Sequence, residues 1–498
     1  MRLPQQTRLF FSSFSQLFNL YLLNNSQFNF KQYKMKTLQW ILIALFLILL
    51  VSVSHFVYTR ITFYQSYDMK LDDVLAFTEK ASFTVGEPIE LKIHSKDDCF
   101  GQLFKIDDSL TLILDSINFE KFNQSNNYNP IVGFAWRTNL VINSDSLNSG
   151  YYYFKVFKKN NPNNFYCHPI IISPKKAKSI SIIASTNTWQ AYNNYGGKSN
   201  YVDNVSPLYF QKIIPFFPKL KPITYCSNQR PYSFMINETG YLDENRSKLF
   251  CQSGKITEID TFGNHNNPIL SYDTIPNYIQ HFMGEQYLVK FLEEKSISYG
   301  VYSDIDFAYN ADIYNSDLII FHMHSEYWSQ EMIGKLQTYC SNGGHVVFAS
   351  GNNIYREVEF YEKGIKVYDE IDPNLTRSMI GTYYSDVTYP KSSSFKVDLF
   401  DHWVFEGCNL IYGDTIFTEG SGWETDKIGN NSNGFQVLAT GLNSVGPAQM
   451  VIKEFNTGGW IFNASSMTFT QSIYKKDSST CFKVLLNLIE DATTNGPN

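Results

Sequence analysis

The longest apolar run of the chain lies near its start and predicts a membrane-spanning helix. The segment TLQWILIALFLILLVSVSHFVYT, between Lys36 and Arg60, contains no charged side chain and is long enough to cross a bilayer. Residues 1–36 carry basic side chains and no acidic one, whereas acidic residues follow the run closely. This asymmetry predicts a basic cytoplasmic tail over 1–36, a transmembrane signal anchor over 37–59 and an extracytoplasmic part over 61–498, as in a single-pass type II membrane protein.

A cleaved signal peptide that starts at Met35 is the alternative, and it would make the protein secreted. The 36 residues in front of the run favour the anchor, because they are too many for an ordinary signal peptide. Both alternatives place the rest of the chain outside the cytosol, where disulfides between Cys99 and Cys167 and between Cys226 and Cys251 are compatible with the sequence. Asn-x-Ser/Thr sites that permit glycosylation begin at Asn123, Asn204, Asn237, Asn245, Asn374, Asn430 and Asn463.

Residues 75–175 show a pattern typical of β-strands. Short runs rich in β-branched and aromatic residues, such as PIELKIHS, NPIVGFAW and YYYFKVFK, are separated by turn residues, and no helical periodicity appears. Several short strands at close spacing predict an all-β sandwich domain over 75–175. Its expected role is that of a spacer or a binding module.

The pattern changes after Pro174, where strand-like and helix-like segments alternate. Strands are predicted at SISIIAS (179–185), YGVYS (299–303), DLIIFHM (317–323) and HVVFAS (345–350), and helices over 285–297 and 329–341. This alternation predicts an α/β domain with a parallel sheet over 176–490. The side chains that directly follow the carboxyl ends of these strands are therefore candidates for binding or catalysis.

The composition excludes some functions without selecting one. The 498 residues include 41 Lys and Arg against 47 Asp and Glu, a formal net charge of −6, and no basic cluster in the globular part indicates nucleic-acid binding. Aromatic residues make up 16% of the chain, including 34 Tyr, and hydrophobic residues 43%, which excludes a disordered protein.

Several loop segments carry polar side chains suited to metal binding or proton transfer. The strand DLIIFHM runs into His324 and Glu326, which project to the same side if this short segment stays extended. The stretch TWQAYNNYGGKSNY combines Tyr192 and other tyrosines with amides and glycines, and three shorter motifs are RPY, SGN and GWETD. Taken one at a time, these residues are better explained as a solvated loop glutamate and packing tyrosines than as ligands.

In combination, these motifs resemble the C-terminal catalytic domain of the large (beta) subunit of N,N-dimethylformamidase and its relatives. The resemblance covers roughly 176–490 and is carried by TWQAYNNYGGKSNY, RPY, HSEYWS, SGNNIYREV, HWVFEG, GWETD and GGWIFNASS. It implies a class I glutamine amidotransferase-like, flavodoxin-like α/β domain. It also implies hydrolysis of a simple amide at a mononuclear Fe(III) held by two tyrosines and one glutamate.

Carried over motif by motif, the resemblance implies six site residues. The metal ligands would be Tyr192, Tyr232 and Glu326, three oxygen donors that suit a hard cation. Glu424 would act as the acid–base residue, and His324 and Asn352 would orient substrate or stabilise the oxyanion. Ser325 departs from the Asp that the family pattern has between this histidine and glutamate.

The sequence therefore predicts a membrane-anchored, iron-dependent hydrolase of a non-peptide C–N bond in a small amide. Its expected partners are the amide substrate and the membrane, without nucleic acid, and a homo-oligomer is compatible with the sequence. A non-catalytic surface or adhesion protein built on the same fold is the alternative. A third hypothesis is carbohydrate hydrolysis by Glu326 and Glu424 as a carboxylate pair.

Overall fold

The computed structural model describes residues 40–54, 65–69, 71–107, 110–193, 195, 199–200, 224–232, 281–388, 392–474 and 478–495. The chain divides into two compact units, Met1–Gln65 and Ser66–Asn498. Several predicted features lie outside the described residues. They are Cys251, the Asn-x-Ser/Thr sites at Asn204, Asn237 and Asn245, and most of the TWQAYNNYGGKSNY motif after Asn193.

The described part of the first unit is a helix of residues 40–54. No helix within the described residues is both long and apolar enough to cross a membrane. The prediction of a spanning anchor over 37–59, and of a single-pass membrane protein, is therefore wrong; residues 37–39 and 55–59 lie outside the described part.

The second unit begins with a strand-rich region, residues 66–173, in which the described strands form three sheets. A five-stranded sheet has the order β3-β11-β10-β5-β6, and three-stranded sheets have the orders β2-β4-β9 and β1-β7-β8. The strands are β1 (Tyr67–Asp68), β2 (Val74–Thr78), β3 (Ser82–Thr84), β4 (Ile89–Ser95), β5 (Cys99–Ile106), β6 (Leu110–Phe119), β7 (Asn127–Asn129), β8 (Gly133–Phe134), β9 (Leu140–Ile142), β10 (Gly150–Lys158) and β11 (Asn161–Ser173).

A nine-stranded mixed sheet follows, with the order β14-β12-β15-β17-β26-β25-β24-β21-β22. Its first five strands run parallel, and the other four are joined antiparallel. Two smaller sheets have the orders β13-β19-β18-β16 and β20-β23. The strands are β12 (Ile180–Ala184), β13 (Tyr225–Ser227), β14 (Tyr299–Ser303), β15 (Leu318–Met323), β16 (Tyr327–Ser329), β17 (His345–Ser350), β18 (Arg356–Tyr361), β19 (Gly364–Glu370), β20 (Tyr383–Val387), β21 (Ser393–Val397), β22 (Thr415–Ser421), β23 (Glu424–Lys427), β24 (Gln436–Gly441), β25 (Gln449–Glu454) and β26 (Trp460–Asn463).

The helices are fewer than the strands in the described part of this unit. We label the helix of residues 40–54 α1. The others are α2 (Thr186–Tyr192), α3 (His281–Glu294), α4 (Asp304–Tyr309), α5 (Gln330–Ser341), α6 (Pro373–Ile380), α7 (Phe469–Ser472) and α8 (Ser478–Thr494), with 3-10 turns at Ala311–Asn315 and Trp403–Phe405.

The predicted flavodoxin-like, class I glutamine amidotransferase-like fold is wrong. The alternation of strands and helices that suggested it holds between Ile180 and Ser350, where the strands do pair in parallel. Beyond Tyr383 the chain is mostly strands, which extend the sheet antiparallel. The result is a mostly β fold with large mixed sheets, and a doubly wound parallel sheet does not describe it.

Burial on both faces explains why the central strands are continuous apolar runs. In β15, Leu318 and Ile320 belong to one hydrophobic core, and Ile319 and Phe321 to a second on the other face. Neighbouring strands alternate in the same way, because successive side chains point to opposite faces of a sheet. The first core also includes most of the buried residues of the strand-rich region, which is therefore packed into the same unit.

Two of the cysteines that the sequence suggested as a pair are not joined. Cys99 and Cys167 are both buried free thiols, as is Cys226. Cys99 and Cys167 belong to the first hydrophobic core, and burial raises the pKa of Cys167 to about 12. These residues pack as small hydrophobic side chains.

Candidate active site

The carboxyl ends of the parallel strands are occupied by buried polar side chains. Strand β15 leads into His324 and Glu326, β17 leads into Asn352, and β12 leads into α2, which carries Tyr192. His324 is 1% exposed, Glu326 3% and Asn352 4%. Buried ionisable groups are rare unless they are paired or functional, so this edge of the sheet is the candidate site.

His324, Glu326 and Tyr192 form one side of the site. The Nε2 atom of His324 lies 3.2 Å from Oε2 of Glu326, and the Tyr192 hydroxyl donates to the same oxygen at 2.9 Å. The rings of Tyr192 and His324 meet edge to face, with centroids 5.4 Å apart. The segment is fixed by its backbone, because the Glu326 carbonyl oxygen accepts from the amides of Tyr355 and Arg356.

Glu424 and Asn352 form the other side. Oε2 of Glu424 lies 3.0 Å from His324 Nε2 and accepts a hydrogen bond of 2.8 Å from Asn352 Nδ2. Asp426, two residues further along β23, accepts from the backbone amide of Asn352 at 2.9 Å. A continuous chain of polar contacts therefore runs from Tyr192 through His324 to Asp426.

The electrostatics of this site follow from two carboxylates that share one imidazole. Burial alone would lower the pKa of His324, but Glu424 and Glu326 outweigh it and raise the pKa to about 10. Burial also opposes ionisation of Glu424, yet the imidazolium brings its pKa below the usual range. The pKa of Glu326 is raised, chiefly by burial, because one imidazolium cannot balance two carboxylates. Two carboxylates and one imidazolium together carry a net charge of −1, so one further positive charge would balance the site.

Strained backbone surrounds the same residues. Met323, Asn352 and Trp423 have φ values of 62°, 53° and 63°, in the left-handed region that non-glycine residues rarely adopt. Two of these residues directly precede His324 and Glu424, and the third is itself in the site. Such strain clusters at functional sites, where packing and hydrogen bonds hold it in place.

Tyr232 lies on another side of α2 from Tyr192. Its hydroxyl accepts from Gln190 Nε2 at 2.5 Å, and its ring meets Trp189 edge to face with centroids 6.2 Å apart. Gln190 and Tyr192 are two residues apart on one helix, so they point in nearly opposite directions. Burial raises the pKa of Tyr232, and the Gln190 amide partly offsets this by donating to the hydroxyl.

The donor groups fit a hard cation. His324, Glu326 and Glu424 each offer one ligand atom, and these atoms lie within 4.8 Å of one another. The 2.9 Å between the oxygens of Tyr192 and Glu326 suits two neighbouring ligands bound to one ion at about 2 Å each. Nδ1 of His324 and Oδ1 of Asn352 are buried without a hydrogen-bond partner among the described residues. Oxygen donors of this kind favour a hard ion such as Fe(III) over a soft one.

Five of the six predicted site residues therefore lie in one contact network: Tyr192, His324, Glu326, Asn352 and Glu424. Tyr232 instead contacts Gln190, on another side of α2 from Tyr192. The sequence reasoning missed Asp426, although it lies in the quoted GWETD motif; the alternation of side chains along β23, which puts Glu424 and Asp426 on one face, was the available signal. It also missed the buried Glu285, which no motif marks.

Comparisons with solved structures and curated proteins add little. No curated protein matches the chain. Among solved structures, the chain is similar to a crystal structure of a Paenibacillus cycloisomaltooligosaccharide glucanotransferase in complex with cycloisomaltoheptaose, at 9% identity and a TM-score of 0.16. That alignment covers 65% of this chain and 61% of the other, so it spans less than two thirds of that protein. At this score the likeness supports no inference.

A comparison with protein families is more informative. The chain matches the family described as N,N-dimethylformamidase beta subunit-like, C-terminal, over residues 120–374 and 365–480. The match includes the whole contact network and begins within the strand-rich region, well before residue 176. This chain belongs to the N,N-dimethylformamidase beta subunit-like family, through that family's C-terminal region.

Proposed function

We propose that this protein hydrolyses the C–N bond of a small linear amide at the site formed by Tyr192, His324, Glu326, Asn352 and Glu424. The observation that carries the proposal is the buried contact network of these residues within a chain of the dimethylformamidase-like family. The proposed substrate is a small molecule, and the proposed cofactor is a mononuclear Fe(III).

Tyr192 and Glu326 would hold the iron, with Tyr232 as the third ligand that the family resemblance implies. A bound metal of this kind supplies a Lewis acid that polarises a carbonyl and lowers the pKa of bound water. His324 and Glu424 are placed beside these donors at 3.2 and 3.0 Å, close enough to exchange protons.

Glu424 is the proposed general base. Its carboxylate is ionised because the His324 imidazolium lowers its pKa, so it can accept a proton from water and return it to the leaving amine. Asn352 donates to Glu424 and orients that carboxylate. The protonated His324 would stabilise negative charge that develops on the carbonyl oxygen during hydrolysis.

The other two hypotheses explain the site less well. A binding scaffold would have no need to bury two carboxylates and an imidazole against one another, since desolvating charges costs free energy. Glycosidases keep their two carboxyl groups roughly 5 to 9.5 Å apart. Here the ligand atoms of Glu326 and Glu424 lie within 4.8 Å of each other and share His324.

Purification of the full chain from iron-replete cells tests the proposal. We expect one iron per chain, a visible tyrosinate-to-iron absorption band that shifts or disappears in Tyr192→Phe, and release of amine from small amides. Glu326→Ala should lose at least about tenfold in iron affinity, while Glu331→Ala, which removes an exposed glutamate on α5, should not. Full iron occupancy in Glu326→Ala would overturn the ligand assignment, and an iron-free, inactive wild-type protein would overturn the function.

A further inference from the structure

The segment that carries Tyr232 is held both by the strand-rich region and by β19, with which β13 pairs. Gln229, Arg230 and Tyr232 belong to a short described segment, residues 224–232. The Gln229 carbonyl oxygen accepts from the amide of Phe134 at 2.8 Å, and Arg230 Nη1 donates to the Tyr128 hydroxyl at 3.0 Å. The RPY motif is thus held in part by residues of β7 and β8, while Arg230 also donates to the carbonyl oxygens of Gln190 and Tyr195.

Tyr166 of β11 contacts the backbone of Tyr232 itself. Its hydroxyl accepts from the backbone amide of Tyr232 at 2.8 Å and lies 3.4 Å from the Tyr232 carbonyl oxygen. His168, two residues further along the same face of β11, stacks on the Tyr232 ring with an interplanar angle of 18° and centroids 5.9 Å apart. Backbone and ring of Tyr232 are therefore both held by one strand.

Tyr151 of β10 helps to hold α2, the helix that carries Tyr192. Its hydroxyl donates to Oε2 of Glu285 at 2.7 Å. Oε1 of the same carboxyl group accepts from the Ser185 amide at 3.2 Å and from Trp189 Nε1 at 2.9 Å. These two groups lie at the start and in the middle of α2, whose last residue is Tyr192. The location of this helix consequently depends on Tyr151 through Glu285.

We propose that Tyr166 and Tyr151 are positioning residues and that the strand-rich region is an integral part of the active site. The expected effect on catalysis rests on the proposed function. The expected effect on local structure rests only on the contacts described above. The family match agrees with it, because the match begins at residue 120 and so includes β10 and β11. The expected role of this region as a spacer or binding module is replaced by a role in placing the two predicted tyrosine ligands.

The test uses Tyr166→Phe and Tyr151→Phe in the full chain, with Tyr152→Phe as the matched control. Tyr152 is a buried tyrosine on β10 whose hydroxyl donates to the Asn148 carbonyl oxygen, within the strand-rich region itself. Each variant loses one buried hydroxyl, so any general effect on stability is shared. Hydrogen exchange followed by mass spectrometry, iron affinity and steady-state kinetics are measured on all three.

We expect Tyr166→Phe to speed amide exchange at Tyr232 by about tenfold, and Tyr151→Phe to do so at Ser185 and along α2. Both should weaken iron binding and lower kcat by about ten- to hundredfold with little change in KM, whereas Tyr152→Phe should change none of these. The inference is overturned if the two variants match Tyr152→Phe in local exchange. The exchange measurement needs neither iron nor activity, so it decides the inference even if the proposed function fails; if Tyr166→Phe does not fold, Tyr151→Phe decides it.

Discussion

His324 is at the centre of the contact network, because it contacts both carboxylates. Its Nε2 atom lies 3.2 Å from Glu326 and 3.0 Å from Glu424. The two glutamates are not equivalent, since the pKa of Glu424 is lowered and that of Glu326 is raised. When the environment separates the pKa values of two neighbouring acids, the one with the lower pKa is ionised and can act as the base.

Replacement of Glu424 by Gln should separate catalysis from metal binding. The amide keeps the size of the side chain and its contact with Asn352 but cannot accept a proton. We expect kcat for amide hydrolysis to fall by about 10²- to 10⁴-fold, with iron content unchanged. Steady-state kinetics and metal analysis of the same preparation provide the measurement, and Glu331→Gln is the control. Loss of iron would instead identify Glu424 as a ligand.

Glu285 should make the folded state less stable as the pH rises. Its carboxyl group is fully buried, and burial raises its pKa from 4.5 to about 8. The neighbouring His322 does not compensate, because burial lowers its pKa to about 3. A folded-state pKa above the unfolded value means that the contribution is complete below about pH 4.5 and is lost as the pH approaches 8.

The corresponding variant is Glu285→Gln, which stays uncharged at every pH. Between pH 5 and pH 8 the wild-type free energy of unfolding should fall by up to about 4 kcal/mol more than that of Glu285→Gln, as measured by urea unfolding. Glu294→Gln, at an exposed position of the same helix, should follow the wild type. Parallel pH profiles for wild type and Glu285→Gln would contradict the prediction.

At the scale of elements, the site depends on how closely the loop after β17 approaches β23. Gly351 lies where this loop meets the strand, and a Cβ there would be 2.5 Å from the Glu424 carbonyl oxygen and 2.7 Å from the Met467 amide. Both are backbone atoms that cannot move aside without shifting a strand or a loop. The close approach also places Asn352 against Glu424 and Asp426.

Gly351→Ala should therefore destabilise the protein and disturb the site together. We expect the free energy of unfolding to fall by about 1–3 kcal/mol and kcat to fall by at least about tenfold. Gly334→Ala is the matched control, because its Cβ would meet nothing within 4 Å in α5 and alanine favours a helix. Denaturant unfolding and steady-state kinetics are measured on both variants. Equal stability and equal kcat for Gly351→Ala and Gly334→Ala would show that the loop after β17 does not pack tightly against β23.

At the scale of the whole molecule, the unit Ser66–Asn498 contains every residue of the site and both hydrophobic cores. A chain that begins at Ser66 should fold with the same thermal transition as the full chain, within about 2 °C, and bind iron equally well. Calorimetry and metal analysis of the two chains check this. A large drop in transition temperature on removal of residues 1–65 would show that the first unit supports the second.

The sequence by itself determined the central strands and the family. The apolar runs ending at Met323 and Ser350 are strands, as predicted, and a strand that is buried on both faces consists of continuous apolar residues. The contact of His324 with Glu326 followed from the alternation of side chains in an extended segment. The family and the residues Tyr192, Asn352 and Glu424 followed from ordered motifs.

Only the tertiary structure decided what depends on long-range pairing. The strands after Tyr383 look like any others in sequence, and the antiparallel partners of β24 and β25 turned the expected flavodoxin-like sheet into a mixed one. The apolar run near the start predicted a spanning anchor, but within the described residues no helix is long and apolar enough to cross a membrane. Asp426, Glu285 and Tyr166 act through partners far away in the chain, and no local pattern specifies such contacts. Local periodicity reports burial and secondary structure, whereas side chains distant in sequence meet only when the whole chain folds.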